Sequence, residues 1–183
     1  MSDEKQLIDN VKKGDTLSFR ELYLLYARYL SAICRRYISD EEDAKDVLQE
    51  AFVKIWSSIA SFNYRGEGSL KAWMSRIVVN HSLRFLLGNK KLRFENIEKT
   101  DLPQEVDVET EHIPTDVLFE LIRSLPDGYR TVFNLHVVEG KSHKEIAALM
   151  GIKENTSASQ LFKAKAMLAE KIRQWTNTTG QKI

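Results

Sequence analysis

This chain of 183 residues has one cysteine, three prolines, almost no net charge and no long apolar run. A bilayer-spanning helix needs ~20 consecutive apolar residues, and every apolar stretch here is interrupted well short of that. Membrane insertion is therefore not expected. Met1–Lys13 (MSDEKQLIDNVKK) starts acidic and polar and lacks the apolar segment of a secretory leader, so a cytoplasmic location is expected. A single cysteine excludes a disulfide framework. Cys34 sits beside Ile33 in a helical pattern and reads as a buried thiol, with no nearby histidine to activate it. His81, His112, His136 and His143 are scattered, and no His/Cys or paired-acid set has metal spacing. No metal, no cofactor and no catalysis by this chain itself are expected.

The net charge of +1 hides a division along the chain. Residues 1–94 carry a net +4, residues 95–116 a net −7, and residues 117–183 again +4. Two mildly basic segments thus flank an acidic one, and such asymmetry points to partners where the total does not. Two of the three prolines, Pro103 and Pro114, lie in the acidic stretch, which has few large apolar groups. An extended or disordered tether is expected there.

Both flanking segments show helical periodicity with weak β signals and no internal repeat, so the class is all-α, two small helical domains on either side of the linker. Asp15 or Thr16 can cap a helix with Phe19, Leu22, Tyr23, Tyr26, Leu30 and Ile33 inward. SDEED at Ser39–Asp43 ends that helix and puts acids at the start of the next, where the helix dipole favours them. Ala44, Val47, Leu48, Ala51, Phe52, Ile55, Trp56 and Ile59 then make one apolar stripe. A Gly-containing loop with Phe62, Asn63 and Tyr64 follows. The next helix opens near Ser69, buries Leu70, Trp73, Met74 and Ile77, and offers Lys71, Arg76, Asn80 and Arg84 outward, with Lys90, Lys91 and Arg93 just beyond. Aromatics, an amide and a basic ridge suit single-stranded nucleic acid, because bases stack on rings and cations follow phosphates. An ordinary helical hairpin with a solvated basic face is the alternative.

Beyond the linker, Val117–Leu125 reads as a helix that stops at Pro126-Asp127-Gly128, and Tyr129–Val138 as another. Ser142 and Glu145 form an S-x-x-E capping box ahead of Ile146, Ala147 and Leu149, and Gly151 makes a tight turn. The last helix is expected over Asn155–Ile172. Helix, glycine turn and a helix with early polar and basic residues is the helix-turn-helix pattern. Asn155, Thr156, Ser159, Gln160, Phe162, Lys163 and Lys165 are its candidates for duplex contact: hydroxyl and amide groups for base edges, Phe for a thymine methyl, Lys for phosphate.

These segments are recognisable together. DVLQEAFVKIW, SFN with GSLKAWMSRIVVN, the early GDTLSFRELYLLY and the distal SLPDGYRTVFNLHVVEGKSHKEIAALMGI resemble a bacterial extracytoplasmic-function (ECF) sigma factor, a two-domain member of the sigma-70 family. The resemblance covers residues 7–93 and 115–173. It implies a region 2 domain over 1–94, an acidic linker over 95–116, a region 4 helix-turn-helix domain over 117–175 and a tail over 176–183. It further implies a transcription initiation factor that binds core RNA polymerase and promoter DNA. Asp46, Gln49, Glu50 and Lys54 are then candidates for the β′ clamp helices, and the second domain should touch the β flap. Phe62, Asn63, Tyr64, Lys71, Trp73, Arg76, Asn80 and Arg84 become candidates for the melted minus-ten element, with Phe62–Ser69 as a loop that holds a flipped base. Asn155, Thr156, Ser159, Gln160, Phe162, Lys163 and Lys165 face the duplex minus-thirty-five element. An anti-sigma factor is a further implied partner. Ala158, Lys153 and Asn155 depart from the family's common recognition-helix residues, and Gly88-Asn89 interrupts its usual arginine-rich end.

Two different classes compete with this. An autonomous helix-turn-helix regulator would bind duplex alone, as a dimer on paired half-sites. A nucleic-acid enzyme would need a catalytic or metal constellation that the histidine spacing does not offer.

Overall fold

The computed structural model describes residues 3–88 and 113–180. All regular elements among them are helical: α1 Asp3–Lys12, α2 Thr16–Tyr37, α3 Glu41–Ser58, α4 Ser69–Gly88, α5 Thr115–Arg123, α6 Asp127–Phe133, α7 His143–Met150 and α8 Glu154–Gly180. The chain divides into two compact units, residues 1–85 and 86–183, with the boundary in the last turn of α4.

The amino-terminal unit is built from local signals. Asp15 caps α2 by accepting from Leu17 N at 3.1 Å and from Ser18 Oγ at 2.6 Å. Asp40 caps α3 through Glu42 N and Asp43 N, both at 3.0 Å. Each removes orphan N–H groups from a helix start, an effect of ~1 kcal/mol per cap. Leu7, Ile8 and Val11 of α1, Leu22, Leu30, Ile33, Cys34 and Tyr37 of α2, Ala44, Val47, Ala51, Phe52 and Ile55 of α3, and Leu70, Met74, Val78 and Leu83 of α4 are buried. Tyr26 Oη donates to a Glu4 carboxylate oxygen at 2.7 Å and fastens α1 to α2. One inward assignment is corrected: Tyr23 stays 44% exposed, because its ring packs against the edge of the core on Phe52, 4.7 Å between centroids.

In the carboxy-terminal unit, α8 packs against α5, α6 and α7. The expected continuous helix over Tyr129–Val138 is instead α6 followed by a π-helical turn over Asn134–Val138, where Glu139 N reaches back to Asn134 O at 3.0 Å. The capping box is complete. Ser142 Oγ accepts from Glu145 N, and a Glu145 carboxylate oxygen accepts from Ser142 N at 2.8 Å. Gly151, at φ 65°, supplies the left-handed turn between α7 and α8 that an L side chain would resist. Leu149, expected inward, is 40% exposed, and Met150 is buried beside Ile146 and Ala147. The last helix also outruns its expected end and continues through Gly180, into the segment read as a tail. Residues 95–112 of the expected linker, and Lys90, Lys91 and Arg93, lie outside the described residues.

Candidate nucleic-acid and polymerase interfaces

In the amino-terminal unit, the chain leaves α3 through a single 3₁₀ turn, Ile59–Ser61, and runs into the loop ahead of α4. Phe62 is buried there, and its carbonyl accepts from Lys12 Nζ at 2.6 Å, so α1 anchors the loop's entry. At the exit Ser69 Oγ donates to Gly66 O at 2.6 Å and accepts from Arg65 N at 3.2 Å. Gly66, at φ 112°, makes that reversal possible. Between these anchors lies a cavity of about 390 Å³ bounded by Phe62 and Trp73, whose ring centroids are 5.0 Å apart. Asn63 and Arg76 also line it, so the structure brings four of the eight minus-ten candidates into one place. Ser61, Arg65, Ser69 and Ala72 complete the lining. Sequence reasoning named none of them individually, although Arg65 and Ser69 lie in the Phe62–Ser69 loop it singled out and Ser61 stands beside it.

Tyr64 and Lys71 do not line the cavity. Lys71 instead holds its ammonium 4.0 Å above the Tyr29 ring on α2. Arg76, Asn80 and Arg84 follow each other four residues apart on α4 and are all exposed, forming a stripe that starts at the cavity's lip. Neither Arg65, Arg76 nor Arg84 is engaged in an ion pair among the described residues. Cations left available beside aromatic rings are the arrangement that single-stranded nucleic acid requires.

A second surface lies on α3. Asp46, Gln49, Glu50 and Lys54 are all exposed, and with Val53, Ser57 and His81 they line a cavity of about 550 Å³. His81 Nδ1 of α4 comes within 3.7 Å of Glu50 Oε2 and closes one wall. Gln49 and Val53 are shared with an adjoining apolar slot of about 320 Å³, walled by Phe19, Phe52 and Trp56. Phe19 packs edge-on to Trp56 at 4.8 Å. The polar face and the apolar slot are contiguous through Gln49 and Val53, and together they offer the mixed apolar and polar surface of which protein interfaces are made. Val53, 63% exposed and outside the buried stripe of α3, is the sequence signal that this slot offers.

The carboxy-terminal candidates separate by burial. Asn155 and Lys165 are exposed on α8, and Phe162 and Lys163 are half-buried, with Lys163 Nζ 6.0 Å from the Tyr129 ring centroid. Thr156, Ser159 and Gln160 are buried, and Ser159 Oγ donates to Asn155 O at 2.8 Å. Those three side chains reach no base edge unless that face of the helix is uncovered. Ser157 is held by His143, Nδ1 to Oγ 3.0 Å, and the His143 ring stacks on His136 at 4.6 Å and 5°.

The match to known proteins follows this division. Residues 22–92 fit the family model for Sigma-70 region 2, and residues 115–168 the model for Sigma-70, region 4. The ECF RNA polymerase sigma-E factor of Haemophilus influenzae is 31% identical over 182 residues, 92% of this chain and 95% of that protein. The chain belongs to the sigma-70 family, as an ECF sigma factor. The ECF RNA polymerase sigma-E factor of Escherichia coli is 28% identical to this sigma factor, over 92% of this chain and 94% of its own length. The solved structure of CnrH in complex with the cytosolic domain of CnrY aligns at 21% identity and a TM-score of 0.45, over 92% of this sigma factor and 96% of that chain. Among the described residues no helix is long and apolar enough to cross a membrane, and no group of three or more metal-ligating side chains occurs.

Proposed function

We propose that the two faces of the amino-terminal unit divide the work of a transcription initiation factor. The sigma factor binds core RNA polymerase and directs it to specific promoters, recognising duplex minus-thirty-five and melted minus-ten DNA. Asp46, Gln49, Glu50 and Lys54 of α3, with the apolar slot beside them, take the polymerase clamp helices. The cavity lined by Phe62 and Trp73 takes a base flipped out of the non-template strand, while Arg76, Asn80 and Arg84 follow the strand beside it. Flipping costs a few kcal/mol, which stacking on the rings offsets by ~1–3 kcal/mol per base. Lys71 and Tyr64 support this surface from outside the cavity.

On α8, Asn155, Phe162, Lys163 and Lys165 make the outward contacts to the minus-thirty-five duplex. Thr156, Ser159 and Gln160 shape the helix from its packed side. The chain supplies recognition and no bond chemistry of its own, and it acts in the cytoplasm. An anti-sigma protein that covers the α3 face would hold it inactive by excluding polymerase.

The observation that carries this reading is the cavity lined by Phe62 and Trp73 opening onto Arg76, Asn80 and Arg84, whose two guanidiniums are in no ion pair among the described residues. Run-off transcription with purified core polymerase, with start sites mapped genome-wide, tests it. Initiation should depend on both proteins and reveal both promoter elements. A tight footprint by the sigma factor alone, with two-fold symmetry, would instead establish an autonomous regulator.

A further inference from the structure

The outer face of α2 is apolar where a solvated helix would be polar. Leu17, Leu24 and Leu25 are 74%, 67% and 61% exposed, the most open leucines among the described residues. With Glu21 and Arg28 they recur at i, i+4, i+7, i+8 and i+11. That is one stripe of a helix, turned away from the side that buries Leu22, Leu30 and Ile33. Exposed leucines scattered singly are ordinary, whereas a contiguous stripe marks an interface. None of the five residues lines the cavity at Phe62 and Trp73, the α3 cavity or the slot beside it. The surfaces assigned to polymerase and DNA therefore leave this stripe unexplained.

Its charges are complementary to themselves. Glu21 and Arg28 are exposed, and neither is in an ion pair among the described residues. They stand at equal distances on either side of the midpoint between Leu24 and Leu25. A two-fold axis through that midpoint, perpendicular to the helix, lays a second α2 antiparallel on the first. Each Glu21 then meets Arg28 of the partner subunit, about 5 Å along the helix from the axis at a rise of 1.5 Å per residue. At the centre Leu24 meets Leu24 of the partner subunit, and Leu25 meets Leu25 of the partner subunit. Leu17 covers the methylene stem of Arg28 of the partner subunit. A parallel pairing would set each charge against its own kind, so electrostatics selects the antiparallel one. We propose that this face of α2 is a self-association surface, through which two copies of the chain form an isologous dimer. One helix pair is a small contact, so the dimer is weak and depends on concentration.

Sedimentation velocity of the full chain across the micromolar range tests this. The wild type should pass from monomer to dimer as its concentration rises. Glu21→Arg and Arg28→Glu each bring like charges together at both ends of the interface. Each variant alone should associate at least about tenfold more weakly. Mixed in equal amounts, the two variants again oppose unlike charges at both ends, and the dimer should return. Both positions lie on the surface, and a variant that failed to fold could not be rescued by mixing. A wild type that stays monomeric at every concentration would assign the leucines to a different protein and overturn the proposal. A dimer that neither variant weakens would lie on another surface and overturn it equally. So would variants that lose the dimer and do not regain it on mixing, because the Glu21–Arg28 pairing would then be absent.

Discussion

Arg130→Met removes a buried cation while keeping most of its volume. Arg130 is 2% exposed and lies at the centre of the α5–α6 junction. Its guanidinium donates to Arg123 O at 2.9 Å and Leu125 O at 2.7 Å, and it pairs with the Asp127 carboxylate. Burial pushes the guanidinium below its ordinary value, while Asp127 pulls it back up. Replacing a buried ion pair with apolar atoms is often neutral, because the desolvation cost disappears with the charge. Here two main-chain carbonyls at the end of α5 also lose their donor, and the Leu125 bond lies in the interior. A buried polar group left unsatisfied costs about 1–3 kcal/mol, and that at Arg123 is partly relieved by water. Asp127 is partly exposed and rehydrates. The net loss should be about 2–4 kcal/mol of the carboxy-terminal unit's stability. Hydrogen exchange of the full chain, read by mass spectrometry, resolves this by segment. The most protected amides of α6 and α8 should exchange about 30- to 1,000-fold faster, with those of α2–α4 unchanged. A change below about threefold, or equal acceleration in both units, would refute the reasoning that the carbonyls depend on this one side chain.

Three further outcomes follow from the assigned roles. Asn80→Ala should reduce open-complex formation at a cognate promoter with polymerase affinity unchanged, as measured by permanganate reactivity and holoenzyme assembly; equal loss in both assays would withdraw Asn80 from DNA contact. Lys165→Ala should weaken promoter binding and lower the slope of log affinity against log salt by about 0.9, one phosphate's share, and an unchanged slope would remove Lys165 from the backbone contacts. His143 has its pKa lowered by burial and by the stacked His136, with Glu154 opposing. The unfolded chain therefore binds a proton that the folded one resists, so stability present above about pH 6.5 is lost as pH falls below it. The urea midpoint of the carboxy-terminal unit should drop between pH 7.5 and 5.5, less so in His143→Asn, and an equal drop in both would exclude this residue. Asp15 and Glu145 do not confuse that window, because hydrogen bonds from Ser18 and Ser142 hold their carboxyls below the usual range.

The boundaries legible in the amino-acid order were those with a local cause. Asp15, Asp40, the Ser142–Glu145 box and Gly151 act within one turn of chain, so a few neighbouring residues are enough to specify them. The stripe on α3 was legible for the same reason, since a period of 3.6 is written in the order of residues. Position within a packed face was less so. Leu149 and Met150 are adjacent and similarly apolar, and only the arrangement of α7 against α8 decides that Met150 goes inside. Thr156, Ser159 and Gln160 look like base readers by chemistry and are buried by the packing of the unit that holds them. Arg130 looks like a surface charge until its two carbonyl partners are located.

The sequence by itself determined the class, the family and the order of two helical units. What only the tertiary structure decided is which loop and helix side chains share a space. Phe62, Arg65, Trp73 and Arg76 are spread over fifteen positions, and a cavity forms because Lys12 of α1 holds the loop's entry and Ser69 of α4 its exit. That convergence depends on distances through space between elements, which the spacing along a chain does not contain.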